Sequence, residues 1–383
     1  MRWSLLSPSV VKFDHLERMT DDTGLLEHCL GRIPRRREGY STDDNARAIW
    51  ACMEWLDLLG DDESEERRRL YRLLDRYLAF LLWAQREDGW FQNNFYFNRT
   101  PESESRSDDC LGRSLWAAAV AYVNLEDDAR RCAAAEILRR ALSASGELRF
   151  LRGQAWGLAT CCLLLSKRRD GSALPSGVTE DDLTNLADVF ERRLLDAYHT
   201  HRPDGWHWYE PQITYANGLL PWALFVAYRY HGRAETLRVA KESLDFLVDK
   251  MSRHDGVIRP IGNRGWCEGD RRADWDQQPV DVMKLALAAR EAYRVLDDDA
   301  YREVVRRCRD WFYGENDLGI PLADPSDGSC CDGLAPDGTN LNRGAESTLS
   351  YLLTEAMAQS LQLEVVFDEP FDVPTIRPTT ARV

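Results

Sequence analysis

The sequence predicts an all-α protein with a single domain, an (α/α)6 toroid in which an outer ring of helices encloses an inner ring. Two observations predict this fold. Apolar helix-patterned segments alternate about six times with amphipathic ones, and a polar loop precedes each apolar segment. Repeated helical units that share faces bury a continuous core without a sheet. We expect one domain over residues 1–383, with an irregular, proline-containing tail over residues 365–383.

The apolar segments are apolar on nearly all sides, which is typical of buried helices. They form a weak internal repeat, and we assign them to the inner ring. Pro279 falls in the first turn of one of them, where its missing N–H costs nothing. Inner helices that all begin on one face bring their preceding loops together around one mouth. These mouth loops contain Asp43, Asp108, Arg152, Tyr215, Asp276 and Arg343.

The amphipathic segments have apolar residues at three- and four-residue steps with charged residues between them. This spacing predicts outer-ring helices with one face in water. Some are followed by Asp-Gly, as at Gly89 and Gly256, where glycine allows the left-handed turn that ends a helix. The six segments begin near His15, Glu66, Asp127, Asp181, Ala234 and Tyr301.

The net charge and the cysteine pattern exclude several classes of function. A formal charge of −15 disfavours nucleic acid and anionic membrane surfaces as partners. The ten cysteines show no paired spacing, and no apolar run reaches the length of a signal peptide or a membrane span. We therefore expect a cytoplasmic protein with reduced thiols, no membrane segment and no cofactor.

The mouth loops are rich in acids, amides and aromatic residues, a combination that suits a carbohydrate. Aromatic faces stack on sugar rings, carboxylates and amides bind hydroxyls, and two acids placed across a glycosidic bond can cleave it. Burial among indoles favours the protonated form that a general acid needs. Glu210, between Trp206, Trp208 and Tyr209 on one side and Pro211 on the other, is the expected acid. The candidate catalytic residues are Glu210, Asp43, Asp44, Asp276 and Glu346, with Asp43 or Asp44 as the expected base.

The same loops supply the candidate substrate-binding residues, which are Tyr40, Asn45, Arg47, Trp206, Trp208, Tyr215, Asn217, Gln277, Gln278, Asp332, Asp337, Asn340 and Asn342. A plainer interpretation exists for part of this set. Asp43, Asp44, Asp108 and Asp276 all lie at helix starts, where aspartate is a common N-cap. The tryptophans could equally form core between the two rings.

Several motifs in the mouth loops resemble a bacterial and archaeal group of six-hairpin, glycosidase-like toroid proteins. The resemblance covers residues from about His15 to Met357, and the motifs are HLERMTDDTGLLEHC, GYSTDDNARA, WYEPQITYANGLLPWAL, DQQPVD and CDGLAPDGTNLNRGAEST. Members are often described as glycosyltransferases, because some are attached to, or encoded beside, a Rossmann-type glycosyltransferase. This chain has no Gly-rich strand-to-helix fingerprint of that kind.

The resemblance implies a six-hairpin toroid and a link to carbohydrate. In related toroid glycosidases, acids in the loops before the inner helices catalyse hydrolysis, usually with inversion of the anomeric configuration. The matching positions in this chain are Asp43, Asp44, Glu210, Asp276 and Glu346. One departure is at Asn217, where the chain reads Ala-Asn-Gly and the group has an acid followed by Asn-Ala.

A zinc site is an alternative, with Cys267, Cys330 or Cys331, and His207 as ligands. Toroids resembling lanthionine cyclases use a Cys-Cys-His site, but their Cys-His dipeptide is absent here. Scattered buried thiols explain these cysteines more simply, and we predict no bound metal.

These observations favour an inverting glycoside hydrolase that acts on an oligosaccharide or glycan. Its two catalytic carboxyl groups would then lie about 6.5–9.5 Å apart. The main alternative is a non-catalytic glycan-binding partner of a separate glycosyltransferase. A zinc enzyme of the cyclase or prenyltransferase type is a third hypothesis, and sugar epimerisation and uronate lyase chemistry stay open.

Overall fold

The computed structural model describes residues 11–60, 64–201 and 205–363, so the predicted tail at residues 365–383 lies outside the described residues. Within these ranges it has twelve α-helices. They are α1 (Asp14–Met19), α2 (Thr42–Leu59), α3 (Glu65–Ala84), α4 (Asp108–Asn124), α5 (Asp128–Ser145), α6 (Leu151–Arg169), α7 (Glu180–Thr200), α8 (Leu219–His231), α9 (Ala234–Lys250), α10 (Pro279–Leu296), α11 (Asp299–Phe312) and α12 (Ala345–Ser360).

The even-numbered helices form a closed inner ring. Each packs on the next, from α2 through α4, α6, α8 and α10 to α12, and α12 packs back on α2. Helices α3, α5, α7, α9 and α11 each pack on the outside of the inner helix that precedes them. The predicted (α/α)6 toroid is therefore confirmed. None of the described helices combines the length and the apolar character that crossing a bilayer requires.

The sixth outer helix, predicted to begin near His15, is only partly present. Helix α1 ends at Met19, and Asp21 then accepts hydrogen bonds from the backbone N–H groups of Thr23 and Gly24 at 2.8 and 3.2 Å. An aspartate that binds the backbone two residues ahead forms a turn that competes with the helix. The segment after α1 therefore runs irregularly over the mouth, and the prediction of a full helix here is wrong.

The loops form short antiparallel hairpins and isolated β-bridges. The sequence pattern did not predict this strand pairing. The hairpins and bridges bring distant loops together, as in the pairing of Tyr40 with Phe95 and of Gln277 with Leu334. The strands are β1 (Cys29–Leu30), β2 (Ile33–Pro34), β3 (Tyr40–Ser41), β4 (Asn94–Phe95), β5 (Cys267–Glu268), β6 (Arg271–Arg272), β7 (Ala323–Asp324), β8 (Ser329–Cys330), β9 (Gly333–Ala335) and β10 (Gly338–Asn340).

Serines, rather than aspartates, cap two inner helices. The Ser41 hydroxyl accepts from the Asp44 N–H at 3.4 Å, and the Ser107 hydroxyl accepts from the Cys110 N–H at 3.2 Å. Asp108 instead accepts from the backbone N–H groups of Arg149 and Phe150, at the start of α6. The acids at the start of α2 are thus free for other partners.

Gly218 marks a close approach between two inner helices, α8 and α10. It is buried at the start of α8, and a Cβ there would overlap the backbone carbonyl of Lys284 in α10. Its backbone is ordinary, with φ −60° and ψ −13°. Only the lack of a side chain therefore allows this contact.

We expect Gly218→Ala to lower the free energy of unfolding by about 2–4 kcal/mol, because α8 and α10 must separate. Gly146→Ala is the matched control: Gly146 has φ −60° and ψ −19°, is exposed, and a Cβ there would meet only Leu186 at 4.0 Å. It should be neutral or stabilising by about 0.5 kcal/mol. Urea denaturation of both variants tests this, and equal midpoints would contradict the close approach.

Candidate active site

A cavity of about 390 Å³ opens at the mouth of the toroid, and we call it the mouth cavity. The starts of α2, α10 and α12 enclose it, together with the segment after α1. Its lining is rich in carboxyl and amide groups. The lining residues are Glu27, His28, Asp44, Asn263, Arg264, Asp276, Gln277, Gln278, Pro279, Asp332, Gly333, Leu334, Ala335, Asn340, Gly344, Glu346 and Ser347.

Arg47 joins acids from two helices at the floor of this cavity. Its side chain is 3% exposed, and it donates one N–H to Asp44 and another to Oε2 of Glu346 at 2.5 Å. Its guanidinium also lies 3.9 Å from the carboxylate of Asp43. The ion pair with Glu346 ties α2, the first inner helix, to α12, the last.

Arg113 of α4 is the second buried guanidinium, and it donates to Asp43. Burial alone would raise the pKa of Asp43, but Arg113 and Arg47 outweigh it and lower that pKa. Burial raises the pKa of Asp44, and the charges of Asp43 and Glu346 add to this rise. Neighbouring acids therefore differ in their preferred protonation state, an arrangement common in acid–base sites.

Glu27 is a cavity residue that we did not select from the sequence. Its backbone N–H donates to the Gly39 carbonyl at 3.1 Å, and its carbonyl accepts from the Ala345 N–H at 2.8 Å. These bonds hold Glu27 over the start of α12. Burial, followed by the charges of Asp44 and Asp43, raises the pKa of Glu27 to about 8. Glu27 lies within the quoted HLERMTDDTGLLEHC motif, and this motif was the available signal.

Glu210 lies on a different arc of the mouth, outside the cavity lining. Arg152 donates to both of its carboxylate oxygens, each at 3.0 Å, and also to the Tyr215 carbonyl at 2.7 Å. The Tyr215 hydroxyl in turn donates to Asp109 at 2.5 Å. A two-pronged guanidinium pair stabilises an ionised carboxylate, whereas a general acid must hold a proton. This geometry suits Glu210 to a structural role, in which it holds the side chain of Arg152 and, through it, the backbone at Tyr215.

Five of the predicted substrate-binding residues are buried, with exposures of 1% or less. The Tyr40 hydroxyl donates to Asp21 at 2.7 Å, and the Asn45 amide oxygen accepts from the Leu25 N–H at 2.9 Å. The other three are Trp208, Asn217 and Gln277. The Asn217 amide binds Thr214 and Asp281, and the Gln277 amide donates to Asp317. Their side chains stabilise the loops of the mouth.

The acid and amide candidates of the last two mouth loops lie around the mouth cavity. Asp276, Gln278, Asp332 and Asn340 line it. Asp276 pairs with Arg264 and has a left-handed backbone with φ +53°. Asn342 holds the rim: it donates to His28 at 2.9 Å and to Asp332, and it accepts from the Cys29 N–H at 2.7 Å.

Two further candidates lie away from the mouth cavity. Asp337 is exposed in the turn between β9 and β10. Trp206 lines a separate depression of about 570 Å³ beside α9 and donates to the Glu210 carbonyl at 2.8 Å. Neither contributes to the acid cluster.

The four residues considered as zinc ligands do not form a cluster. Cys267, Cys330 and Cys331 are buried free thiols. The imidazole Nδ1 of His207 lies 3.2 Å from the Tyr198 hydroxyl. Among the residues that the structure describes, no group of three His, Cys, Asp or Glu side chains could hold a metal ion.

Comparison with known proteins identifies solved structures that have the same fold. No family model and no curated protein matches the chain. Among solved structures, a cellobiose 2-epimerase from Bacillus thermoamylovorans B4167 matches with a TM-score of 0.67 at 10% identity, over 92% of this chain and 96% of the epimerase. A D-mannose isomerase matches with a TM-score of 0.63 at 11% identity, over 91% of this chain and 95% of the isomerase.

A third structure is an inactive variant of the alpha-1,6-mannanase GH76A of Salegentibacter sp. HEL1_6, in which two consecutive aspartates are replaced by alanine, in complex with α-1,6-mannotetraose. It matches with a TM-score of 0.59 at 12% identity, over 91% of this chain and 96% of the mannanase. At these identities the likeness shows the fold. The chain thus shares the (α/α)6 toroid with these proteins.

We expect Glu27→Gln to change how stability depends on pH. A folded-state pKa of about 8, raised from 4.5, gives stability that is present below pH 4.5 and is lost as pH rises towards 8. Glutamine is neutral at every pH, so the variant should match wild type near pH 5. At pH 9 it should exceed wild type by about 1–3 kcal/mol. Denaturant unfolding at both pH values measures this.

Glu136→Gln is the control for this measurement, because Glu136 is exposed on α5 and pairs only locally with Arg139. Its effect should be small at both pH values. An equal effect of Glu27→Gln at pH 5 and pH 9 would show that Glu27 is not protonated in the folded protein.

Proposed function

We propose that this chain is a carbohydrate-active enzyme that performs acid–base chemistry in the mouth cavity, with inverting hydrolysis of a glycosidic bond as the first candidate reaction. The observation that carries the proposal is that a proton-holding acid and an arginine-bound carboxylate line one cavity. Glu27, with its pKa raised to about 8, holds a proton at neutral pH. Glu346 is bound by Arg47 and is 43% exposed at the side chain.

In this proposal Glu27 replaces Glu210 as the general acid. It donates its proton to the glycosidic oxygen while the bond to the anomeric carbon breaks. Glu346, held by Arg47 yet accessible to water, takes a proton from the water that attacks the opposite face. Asp44, bonded to the same guanidinium, is the reserve base. Asp43, bound by Arg113, fixes the charge around the pair.

The structural neighbours support a carbohydrate substrate, because they act on or bind cellobiose, mannose and mannotetraose. The mannanase variant was inactivated at two consecutive aspartates. This chain has two such pairs at inner-helix starts, Asp43-Asp44 and Asp108-Asp109. In the second pair, Asp108 is bound to backbone N–H groups of the next loop. Asp43 and Asp44 both meet buried guanidiniums, which favours the first pair as part of the active site.

A second candidate reaction is epimerisation or isomerisation of a reducing sugar. The neighbours with TM-scores of 0.67 and 0.63 are an epimerase and an isomerase. A carboxyl with a pKa near neutrality can move a proton at carbon as well as at oxygen. Glu27 could therefore serve as the acid in either reaction, and the product formed shows which reaction takes place.

A product test in D₂O separates the two reactions. We would incubate the protein with α-1,6-mannotetraose, cellobiose and D-mannose and follow the products by proton NMR. Hydrolysis gives a shorter saccharide whose new reducing end has the inverted anomeric configuration. Epimerisation or isomerisation leaves the chain length unchanged and exchanges a carbon-bound hydrogen for deuterium if the proton passes through water.

We expect Glu27→Gln and Glu346→Gln each to lower kcat by about 10²–10⁴-fold with the active substrate, because each removes a proton-transfer group. In wild type kcat should fall as pH rises past about 8, where Glu27 loses its proton. Glu136→Gln on α5 should retain wild-type kcat.

Two results would contradict this assignment. A large loss in Glu210→Gln with wild-type kcat in Glu27→Gln would restore Glu210 as the acid. Retained binding of mannotetraose by wild type, with no turnover of any of the three sugars, would favour the glycan-binding partner of a glycosyltransferase.

A further inference from the structure

Lys284 places an amine on the axis of the toroid. Its residue is 1% exposed, and its Nζ lies 4.9 Å from the ring centre of Trp50 and 4.2 Å from that of Trp156. Helix α10 packs between α8 and α12, whereas these tryptophans belong to α2 and α6. A side chain from α10 that reaches both must cross the centre of the inner ring.

This lysine belongs to a helix that begins at the mouth cavity, because Pro279, the first residue of α10, lines the cavity. Lys284 is the sixth residue of α10, and a helical side chain tilts towards the N-terminus of its helix. The charges of Arg47, Arg113 and Glu346 around the mouth act on the amine.

The polar atoms around the axis have unused hydrogen-bonding capacity. Within the described residues, no hydrogen-bond partner is present for Nζ of Lys284, for Oδ2 of Asp281, or for the indole N–H groups of Trp116 and Trp156. Asp281 precedes Lys284 by three residues and so shares its helix face. Its other oxygen lies 3.2 Å from the Asn217 amide nitrogen. Buried polar atoms without partners are destabilising, and an apolar residue would fill this place at lower cost.

The surroundings disfavour the protonated form of the amine. A buried ammonium without a counter-ion is strongly disfavoured. Burial lowers the pKa of Lys284 well below its ordinary value, and the guanidiniums of Arg113 on α4 and Arg47 on α2 lower it further, against the opposing charges of Asp109 on α4 and Glu346 on α12. A neutral lysine amine is a nucleophile for carbonyl carbon.

We propose that Lys284 condenses with the open-chain aldehyde of a reducing sugar that enters through the mouth cavity, with Asp281 as its acid–base partner. The inference rests on the proposed function only in taking the ligand to be a carbohydrate. The amine attacks the aldehyde carbon, and a proton passes from nitrogen to the former carbonyl oxygen. Asp281 then protonates that hydroxyl, which leaves as water while the C=N bond forms. The resulting iminium returns a proton to Asp281, so one aldehyde and one amine give one imine and one water.

Reductive trapping tests this on the full-length protein. The chain has only five lysines, at positions 12, 167, 241, 250 and 284, so each can be followed by peptide mass spectrometry. We would incubate the protein with glycolaldehyde, and separately with D-mannose, in the presence of cyanoborohydride at pH 7. Lys284 should be labelled by glycolaldehyde at least tenfold faster than Lys241 and Lys250.

The variants separate this proposal from the hydrolase assignment. Asp281→Asn should slow the labelling of Lys284 at least fivefold, whereas Asp245→Asn, which removes a carboxylate paired with Lys241 on α9, should not. Glu27→Gln should leave the labelling unchanged, so that loss of turnover and loss of labelling are independent results. Labelling of Lys284 that is absent, or no faster than that of Lys241, would overturn the proposal.

A stability measurement tests the neutral amine without any ligand. A folded-state pKa below the unfolded value gives stability that is full above the unfolded pKa and is lost as pH falls. Lys284→Met removes this dependence, so its Tm should exceed that of wild type by a margin that grows from pH 10 to pH 6. A margin that stays constant would show a charged amine and would also overturn the proposal.

Discussion

The ion pair between Arg47 and Glu346 is the contact on which the rest of the mouth depends. It joins the first inner helix to the last, at the seam where the ring closes. Around it, the carboxyls of Asp43, Asp44 and Glu346 pair with two buried guanidiniums, Arg47 and Arg113, and Glu27 lines the same cavity. Burial disfavours the ionised form of a carboxyl, and neighbouring carboxylates add to this effect. Both effects raise the pKa values of Asp44 and Glu27.

Closure of the ring also explains why chemistry is concentrated at one end. Every inner helix begins at the mouth, so acids distant in sequence become neighbours there. Below the mouth, the indoles of Trp50, Trp116, Trp156 and Trp222 pack edge to face around the axis. The apolar centre removes water from the groups just above it, and low polarity strengthens each charge interaction. The packed core of the toroid therefore also influences the pKa values of the acids at the mouth.

Most of the fold could be predicted from the sequence, because helix burial leaves a periodic pattern. The six inner helices begin close to the polar loops that were identified, and Pro279 begins α10 as expected. The prediction of a full outer helix near His15 was wrong, because the turn at Asp21 replaces helical hydrogen bonds there. The hairpins of the mouth could not be predicted, because pairing such as that of Gln277 with Leu334 depends on tertiary contacts.

The candidate site was harder to predict than the fold. Acids and aromatics were sought in the mouth loops, but the sequence does not show which way a loop side chain points. Glu210 looked suitable among its tryptophans, yet Arg152 from another helix binds it. Glu27 had no aromatic neighbours in sequence, and only the packing of its segment on α12 places it in the cavity. In the sequence, Lys284 appeared only as one more residue of a segment predicted to be a buried helix.

The central claim is that Glu27 holds a proton at neutral pH because it is buried and lies near the charged carboxylates of Asp44 and Asp43. Carbon-13 NMR of protein labelled at the glutamate side-chain carboxyls measures this directly. The account predicts one carboxyl resonance that titrates near pH 8 and is missing from the Glu27→Gln spectrum. A Glu27 resonance that titrates near the ordinary glutamate value of about 4.3 would contradict the account.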